Sequence, residues 1–151
     1  MNVVSFINQK GGVAKTTTAI NVAAYWANLG KKVLLIDLDP QASATKAIFG
    51  DTEFDSTVYD VMLEQCEAKD AIVHSVPFDI DVIPSEIHLS GIDLQLASTF
   101  GRETVLKRRI ANVRSVYDVV VIDCSPSLGL LTVNALMTSK DIVIPICPEY
   151  F

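Results

Sequence analysis

The chain has 151 residues and a formal net charge of −6; half of its residues are hydrophobic and a fifth are charged. This length and composition favour a globular domain with a substantial core and exclude an intrinsically disordered chain, while the acidic balance disfavours a wholly basic nucleic-acid surface. No apolar run reaches the roughly 18 residues of a membrane span, and the three cysteines are far apart without a CxxC pair, which argues against a disulfide scaffold or a zinc site.

In the first part of the chain, the predicted elements are two strands separated by a helix. A strand at residues 3–7 leads into a glycine-containing loop. An alanine-rich helical pattern covers 16–29 and stops at Gly30, a residue favoured just past a helix end. A second strand, at 32–39, is short and almost continuously apolar, as expected of a strand buried on both faces.

The middle of the chain has weaker patterns. Helices are predicted near 58–64 and 68–74, and a short strand near 80–83. Two further helices are predicted at 87–98 and 103–113.

The last part returns to strong patterns, with a strand at 117–124, a helix at 128–137 and a strand at 141–147. Buried strands that alternate with helices predict an α/β fold, in which a mostly parallel sheet is flanked by helices on both faces. No repeat or linker interrupts the pattern, so residues 1–151 are predicted to form one domain.

The stretch NQKGGVAKTTT, residues 8–18, is typical of a phosphate-binding loop. Gly11 and Gly12 allow backbone N–H groups to approach phosphate oxygens, and the helix that follows presents its positive dipole end. Lys15 would reach the terminal phosphates, and the Thr16 hydroxyl would ligate Mg²⁺.

This loop nevertheless departs from the standard pattern G-x-x-x-x-G-K-[ST]. The two glycines of that pattern would fall on Gln9 and Ala14. The loop also contains a second lysine, Lys10, which a standard phosphate loop does not need.

Three aspartates end two of the apolar strands. Asp37 and Asp39 are two residues apart, so their side chains face the same side of a strand end, and Asp123 ends another strand. Ligands of parallel sheets bind at the carboxyl ends of the strands, where these acids are predicted to lie. Asp39 could also cap the following Asp-Pro loop, but a carboxylate that closes an apolar strand is costly without a partner.

These motifs resemble those of the ParA/MinD family of ATPases. KGGVAKTTT resembles the deviant phosphate loop KGGxxKT[ST] of that family, and DLDPQASAT (37–45) resembles its DxDPQ motif. VVVIDCSPSLGLLTVNAL (119–136) resembles its magnesium-side strand and loop, and PICPEYF (145–151) resembles the start of a further segment. The matches occur in order across most of the chain, and the likeness is strongest to Soj/ParA-type partition ATPases. The resemblance implies a P-loop NTPase fold.

The resemblance also implies roles for individual residues. Lys10 would cross the interface of an ATP-bound dimer and contact the partner's nucleotide, as an arginine finger does. Asp39 would orient the attacking water, Asp37 would lie close to the magnesium shell, and Asp123 would hold the ion through water. The predicted catalytic residues are therefore Lys10, Lys15 and Asp39.

The predicted nucleotide-binding segment is continuous, and Thr17 would add a phosphate contact to it. Its residues are Lys10, Gly11, Gly12, Val13, Ala14, Lys15, Thr16 and Thr17. The predicted metal ligands are Thr16, Asp37 and Asp123. Many relatives have glycine where Ala14 stands.

The resemblance implies an ATP-dependent molecular switch for plasmid or chromosome partitioning. Such a switch would bind and slowly hydrolyse Mg-ATP in a homodimer, respond to a ParB-like partner, and bind nonspecific DNA through parts mostly outside this chain. We expect a cytoplasmic, nucleoid-associated protein without membrane contact, since Met1 is not followed by a signal sequence. Relatives continue beyond the segment matching residues 145–151, so the C-terminal part of the family fold is predicted to be absent.

Several alternatives remain open. The same motifs serve MinD-like division-site positioning ATPases and other positioning homologues, and a non-catalytic nucleotide-binding fragment would retain them. A nitrogenase-like iron protein is disfavoured because the segment after Asp123 lacks the second, downstream cysteine. A basic cluster is typical of a solvated helix face and, as an alternative, of a DNA contact; it comprises Arg102, Lys107, Arg108, Arg109 and Arg114.

Overall fold

The structure is a computed structural model that describes residues 2–148, and it contains a six-stranded sheet with strand order β3-β4-β2-β5-β1-β6. Neighbouring strands are parallel except for the antiparallel pair β3–β4. The mostly parallel α/β sheet predicted from the sequence is therefore confirmed. The strands are β1 (Asn2–Phe6), β2 (Val33–Leu38), β3 (Val73–Ser75), β4 (Ile80–Ile83), β5 (Val119–Cys124) and β6 (Asp141–Val143).

Helices follow most strands and lie on both faces of the sheet. They are α1 (Lys15–Asn28), α2 (Ser43–Phe49), α3 (Val58–Met62), α4 (Ile92–Gln95), α5 (Val105–Arg109), α6 (Ala111–Arg114) and α7 (Leu130–Thr138). Three short 3₁₀ segments cover Ala68–Ala71, Ile87–Gly91 and Arg102–Thr104. None of the helices within residues 2–148 is long and apolar enough to cross a bilayer.

The core consists of two layers because alternate residues of the same strands face opposite sides of the sheet. Leu34 and Ile36 of β2 pack with residues of α3, α4 and α5 on one face. Leu35 of β2 packs with Ala19 and Ala23 of α1 on the other face. Every residue of β2 and β5 is buried, which explains their nearly continuous apolar sequences.

The prediction of a helix at 68–74 is wrong in its second half. The segment begins as a 3₁₀ turn but continues as β3, because Val73 pairs with Val82 and Ser75 with Ile80 in an antiparallel ladder. The helix α2 was not predicted at all.

Two other predictions need correction. The helix expected at 103–113 is interrupted at Ile110, which separates α5 from α6. The strand expected at 141–147 ends at Val143, because β6 pairs only with Val4–Phe6 and β1 ends there. The last residues of the segment 145–151 lie outside the described residues.

Candidate functional site

The sheet register brings the ends of three strands together. Asp37 of β2 and Phe6 of β1 are both aligned with Asp123 of β5, which lies between them. The loops that leave these strands therefore begin at the same level of one sheet edge. This is the carboxyl edge, where ligands of parallel sheets bind.

The predicted phosphate loop connects β1 to α1 and has two residues in the left-handed backbone region. Gly12 has φ 75°, and Ala14, the residue before α1, has φ 59° and ψ 28°. A non-glycine residue in this region costs roughly 1–2 kcal/mol. This strained residue lies where the loop turns into α1. The first N–H groups of α1 have no carbonyl acceptor within the helix and can therefore bind an anion.

Lys15 is the first residue of α1, and its side chain is buried beneath the loop. Its Nζ lies 3.2 Å from Asp123 Oδ1, and only 7% of the residue is exposed. A buried ammonium with one carboxylate partner retains donors for further oxygen atoms.

Asp123 is completely buried and only partly satisfied. Burial raises the pKa of its carboxyl group, while Lys15 and a hydrogen bond from Thr16 act in the opposite direction. Its Oδ2 atom has no hydrogen-bond partner among the described residues. A buried carboxylate oxygen of this kind fits a donor that the protein does not supply, such as a magnesium-bound water.

A magnesium ion at this position would need ligands beyond the acidic residues. Within the part of the chain that the structure describes, no group of three or more His, Cys, Asp or Glu side chains could hold a metal ion. The Thr16 hydroxyl, Asp123, water and phosphate oxygens form the kind of hard oxygen set that Mg²⁺ accepts.

Asp37 is completely buried, and both of its oxygens accept hydrogen bonds from the protein. Oδ1 accepts from Asp39 N at 3.1 Å, and Oδ2 accepts from Thr45 N at 2.8 Å and Thr45 Oγ1 at 2.7 Å. Burial raises the pKa of Asp37 to about 6, with a smaller contribution from the charge of Asp123. Its place in a magnesium shell stays a prediction.

Asp39 lies at the wall of a cleft above the buried acids. Its Oδ1 accepts a hydrogen bond from Gln41 N at 2.9 Å, and its backbone oxygen accepts one from Ser85 Oγ at 2.7 Å. Because this is the one hydrogen bond that its side chain accepts from residues 2–148, Asp39 Oδ2 can accept one from another donor in the cleft.

The cleft has a volume of about 590 Å³ and brings together most of the predicted site. Asp37 and Asp123 lie beneath it rather than in its wall. Lys10 is exposed at the loop, and its backbone N–H donates to Asn8 Oδ1 at 2.9 Å. The residues lining the cleft are Lys10, Gly11, Gly12, Val13, Ala14, Lys15, Thr16, Thr17, Ile20, Asn21, Asp39, Ser43, Ala47, Phe78 and Pro126.

Two polar residues of this region were not identified from the sequence. Thr45, in α2, and Ser85, after β4, are both buried and hydrogen bond to the segment that carries Asp37 and Asp39. Ser85 is separated from Asp39 by 46 residues, and no local pattern reveals such a contact. Thr45 lies inside the DLDPQASAT motif but had no predicted role.

The basic cluster of residues 102–114 makes contacts within its own chain. Arg109 donates to the carbonyl oxygens of Val61 (3.0 Å) and Cys66 (2.8 Å). Arg108 donates to Gly101 O at 2.9 Å and to Thr104 Oγ1. These guanidinium groups anchor neighbouring segments, which favours a structural role.

Comparisons with known proteins agree with this geometry. A family described as an AAA domain matches residues 1–151. The chain is 43% identical over 150 residues to the sporulation initiation inhibitor protein Soj of Bacillus subtilis, covering 99% of this chain and 59% of Soj. It is 41% identical over 146 residues to the chromosome-partitioning ATPase Soj of Treponema pallidum, covering 97% and 57% of the two chains.

A solved structure shares the fold and was obtained with ligands. Cobyrinic acid a,c-diamide synthase from Mycobacterium smegmatis, with a bound ATP analogue and magnesium, has a TM-score of 0.93 and 39% identity. That match covers 97% of this chain and 58% of the other. The chain thus spans less than three fifths of the length of these relatives.

Proposed function

The chain belongs to the ParA/MinD family of P-loop ATPases and matches the N-terminal portion of its members. We therefore propose that it acts as an ATP-dependent switch in DNA partitioning. The observation that carries the proposal is the buried Lys15–Asp123 pair under the phosphate loop, in which Asp123 Oδ2 has no hydrogen-bond partner within residues 2–148. The names of the Soj relatives supply the partitioning context.

The phosphate loop would bind the nucleotide's phosphates through its backbone. The N–H groups of residues 11–16 would surround the phosphate oxygens, Lys15 would contact the terminal phosphates, and Thr17 would add a hydroxyl. Bound Mg²⁺ would neutralise phosphate charge. Thr16 would be a direct ligand, and Asp123 would accept hydrogen bonds from the magnesium-bound waters, with Asp37 close to this shell.

Hydrolysis requires a positioned water, and Asp39 is the side chain available for this purpose. Asp39 would accept a hydrogen bond from a water in the cleft, orient its oxygen toward the γ-phosphorus and receive its proton as the bond to the ADP oxygen breaks. Lys10 of a second copy would stabilise the charge that develops on the transferred group. ATP would therefore close a homodimer, and slow hydrolysis would open it.

In this proposal, residues 1–151 form one ATPase domain that works in the nucleoid region of the cytoplasm. A ParB-like partner would stimulate hydrolysis, and DNA would bind mainly through parts outside this chain. The similarity to a structure named as a diamide synthase makes ATP-dependent amide formation the competing function. Turnover of ATP with water as the only acceptor would separate the two.

The decisive experiment measures dimerisation and ATP turnover together. The chain is expected to sediment as a dimer with Mg-ATP and as a monomer with Mg-ADP. Asp39→Ala is expected to accumulate the ATP-bound dimer and to lower turnover about 100-fold or more. A monomeric Asp39→Ala variant with wild-type turnover would remove Asp39 from the mechanism.

Lys10→Ala tests the contact in trans. Because Lys10 would act on the partner's nucleotide, the variant is expected to bind ATP normally but to hydrolyse it slowly. Exposed Lys69, in the 3₁₀ segment Ala68–Ala71, provides the matched control variant Lys69→Ala. Wild-type turnover in Lys10→Ala would disprove the assignment.

A further inference from the structure

The segment that carries Asp39 is held by a buried polar cluster centred on Thr45. We name Asp37, Asp39, Thr45 and Ser85 the Thr45 cluster. The side chains of Asp37, Thr45 and Ser85 are each hydrogen bonded to another member. All four residues are at least 94% buried, and Asp39 also lines the cleft. The cluster joins the end of β2 to the first turn of α2 and to the segment after β4.

The Thr45 hydroxyl group is both a hydrogen-bond donor and a hydrogen-bond acceptor. Its Oγ1 donates to Asp37 Oδ2 at 2.7 Å and accepts from Ser85 N at 2.9 Å. The residue is 3% exposed, so water cannot replace either contact without a rearrangement of the packing. A hydroxyl group supplies both the donor and the acceptor through one atom, which an apolar side chain of the same shape cannot do.

The two partners of Thr45 hold both backbone groups of Asp39. Asp37 Oδ1 accepts from Asp39 N at 3.1 Å, and Ser85 Oγ donates to Asp39 O at 2.7 Å. Asp39 O also accepts from Ala42 N at 2.8 Å, so residues that meet at Thr45 supply the contact to Asp39 N and one of the two contacts to Asp39 O. The direction of the Asp39 side chain into the cleft depends on this arrangement.

We propose that Thr45 is a positioning residue for Asp39, an inference that rests on the proposed ATPase function. Thr45 does not line the nucleotide cleft, so it acts through Asp37 and Ser85 rather than on the nucleotide. A displacement of Asp39 by about 1 Å would suffice to lower turnover by about 100-fold. Nucleotide affinity, which depends on the phosphate loop, would not change.

The test compares Thr45→Val, which keeps the shape of the side chain but removes the hydroxyl, with Thr45→Ser, which keeps the hydroxyl. The matched control is Thr138→Val, because Thr138 is also a buried helical threonine but its hydroxyl donates to Asn134 O within the same helix. Three quantities are measured on the full chain: kcat for Mg-ATP, Kd for Mg-ADP, and amide exchange at Gln41 and Ser85.

Thr45→Val is expected to lower kcat about 10- to 100-fold with Kd for Mg-ADP within about twofold of wild type. Amide exchange at Gln41 N and Ser85 N is expected to become at least about tenfold faster, because both protons report the Asp39 segment. Thr45→Ser is expected to restore kcat to within about threefold, and Thr138→Val to match wild type.

Wild-type kcat and exchange in Thr45→Val would overturn the inference and leave the ATPase proposal intact. Equal losses of kcat and Mg-ADP affinity would also overturn it, because they would show general damage to the site. If the wild-type chain binds Mg-ATP but does not hydrolyse it, the proposed function fails. The exchange rates at Gln41 and Ser85 then still decide whether Thr45 holds the Asp39 segment.

Discussion

The two edges of the sheet satisfy their charged groups in opposite ways. At the amino edge, Asp81 accepts a hydrogen bond from Tyr117 Oη at 2.8 Å, and His74 Nδ1 lies 2.8 Å from its other carboxylate oxygen and donates to it when protonated. Asp118 accepts a hydrogen bond from Lys32 N at 2.9 Å. The carboxylates of Asp81 and Asp118 lie near solvent and accept hydrogen bonds from the protein, although the Tyr117 ring is buried. They bind the ends of β4 and β5 to neighbouring segments.

At the carboxyl edge, Lys15 and Asp123 are buried and only partly satisfied, whereas the neighbouring Asp37 is satisfied by protein donors. Asp123 Oδ2 has no partner among the described residues, and the single described partner of the Lys15 ammonium is Asp123. Ser75 Oγ, near the amino edge, is also buried without a partner among the described residues, but it is a neutral hydroxyl. An unpaired carboxylate oxygen in the interior costs more free energy, and a ligand that completes it would offset that cost. This contrast supports the proposal that the nucleotide binds at the carboxyl edge.

The largest expected effect separates the two edges directly. Lys15→Ala removes charge-assisted contacts to the phosphates and should weaken ATP binding about 1,000-fold, or roughly 4 kcal/mol. Lys31→Ala, an exposed lysine at the amino edge, should leave the affinity unchanged. Calorimetric titration with Mg-ATP measures both. Equal affinities in the two variants would contradict the assignment of the carboxyl edge.

The free energy of unfolding should depend on pH through the buried Asp37. Burial raises the pKa of Asp37 from 3.8, the ordinary value of an exposed aspartate, to about 6 in the folded chain. The folded state therefore binds the carboxyl proton of Asp37 more tightly than the unfolded state. The corresponding stabilisation is present below pH 4 and is lost as the pH rises toward 6, by about 3 kcal/mol.

Asp37→Asn removes this titrating group, so the slope of unfolding free energy against pH should become less negative between pH 4 and 6. Urea unfolding of the nucleotide-free chain at three pH values in that range measures the slope. In Asp37→Asn, the amide NH₂ group replaces one of the two accepting oxygens and faces a donor, either Asp39 N or the N–H and hydroxyl of Thr45. This loss of a hydrogen bond lowers the stability by an amount that does not depend on pH. An identical slope in wild type and variant would show that Asp37 is not buried as an acid.

A third, smaller effect is expected at the amino edge. Tyr117→Phe removes the hydrogen bond from Tyr117 Oη to Asp81 and should destabilise the fold by about 1 kcal/mol. ATP affinity should not change, because the site lies at the other edge. Urea unfolding and nucleotide titration of the same samples measure the two quantities. A loss of ATP affinity without a loss of stability would break the distinction between the edges.

The smallest effect is expected at the strained turn of the phosphate loop. Ala14→Gly releases the cost of φ 59°, but glycine gains more freedom in the unfolded chain, so the net change should stay within about 0.5 kcal/mol. Ala24→Gly, inside α1, should instead destabilise the fold by about 1 kcal/mol. Equal destabilisation by the two substitutions would argue against a left-handed conformation at Ala14.

The sequence alone determined the elements with strong local patterns. The apolar runs of β2 and β5 are continuous because both faces of these strands are covered, and α1 follows a glycine loop and ends before Gly30, which has φ 77°. The phosphate loop could be recognised because its glycines, Lys15 and Thr16 are contiguous. These features depend on neighbours in the chain, which a sequence displays.

Contacts between residues far apart in the chain depend on the tertiary fold and have no local sequence signal. Lys15 and Asp123 are separated by 108 residues, and Asp39 and Ser85 by 46. The antiparallel pairing of β3 with β4 replaced a predicted helical turn, because ladder hydrogen bonds and burial outweigh weak local propensity. The sequence could place Asp37 and Asp123 at strand ends, but the sheet register set them side by side and made one of them satisfied and the other incomplete.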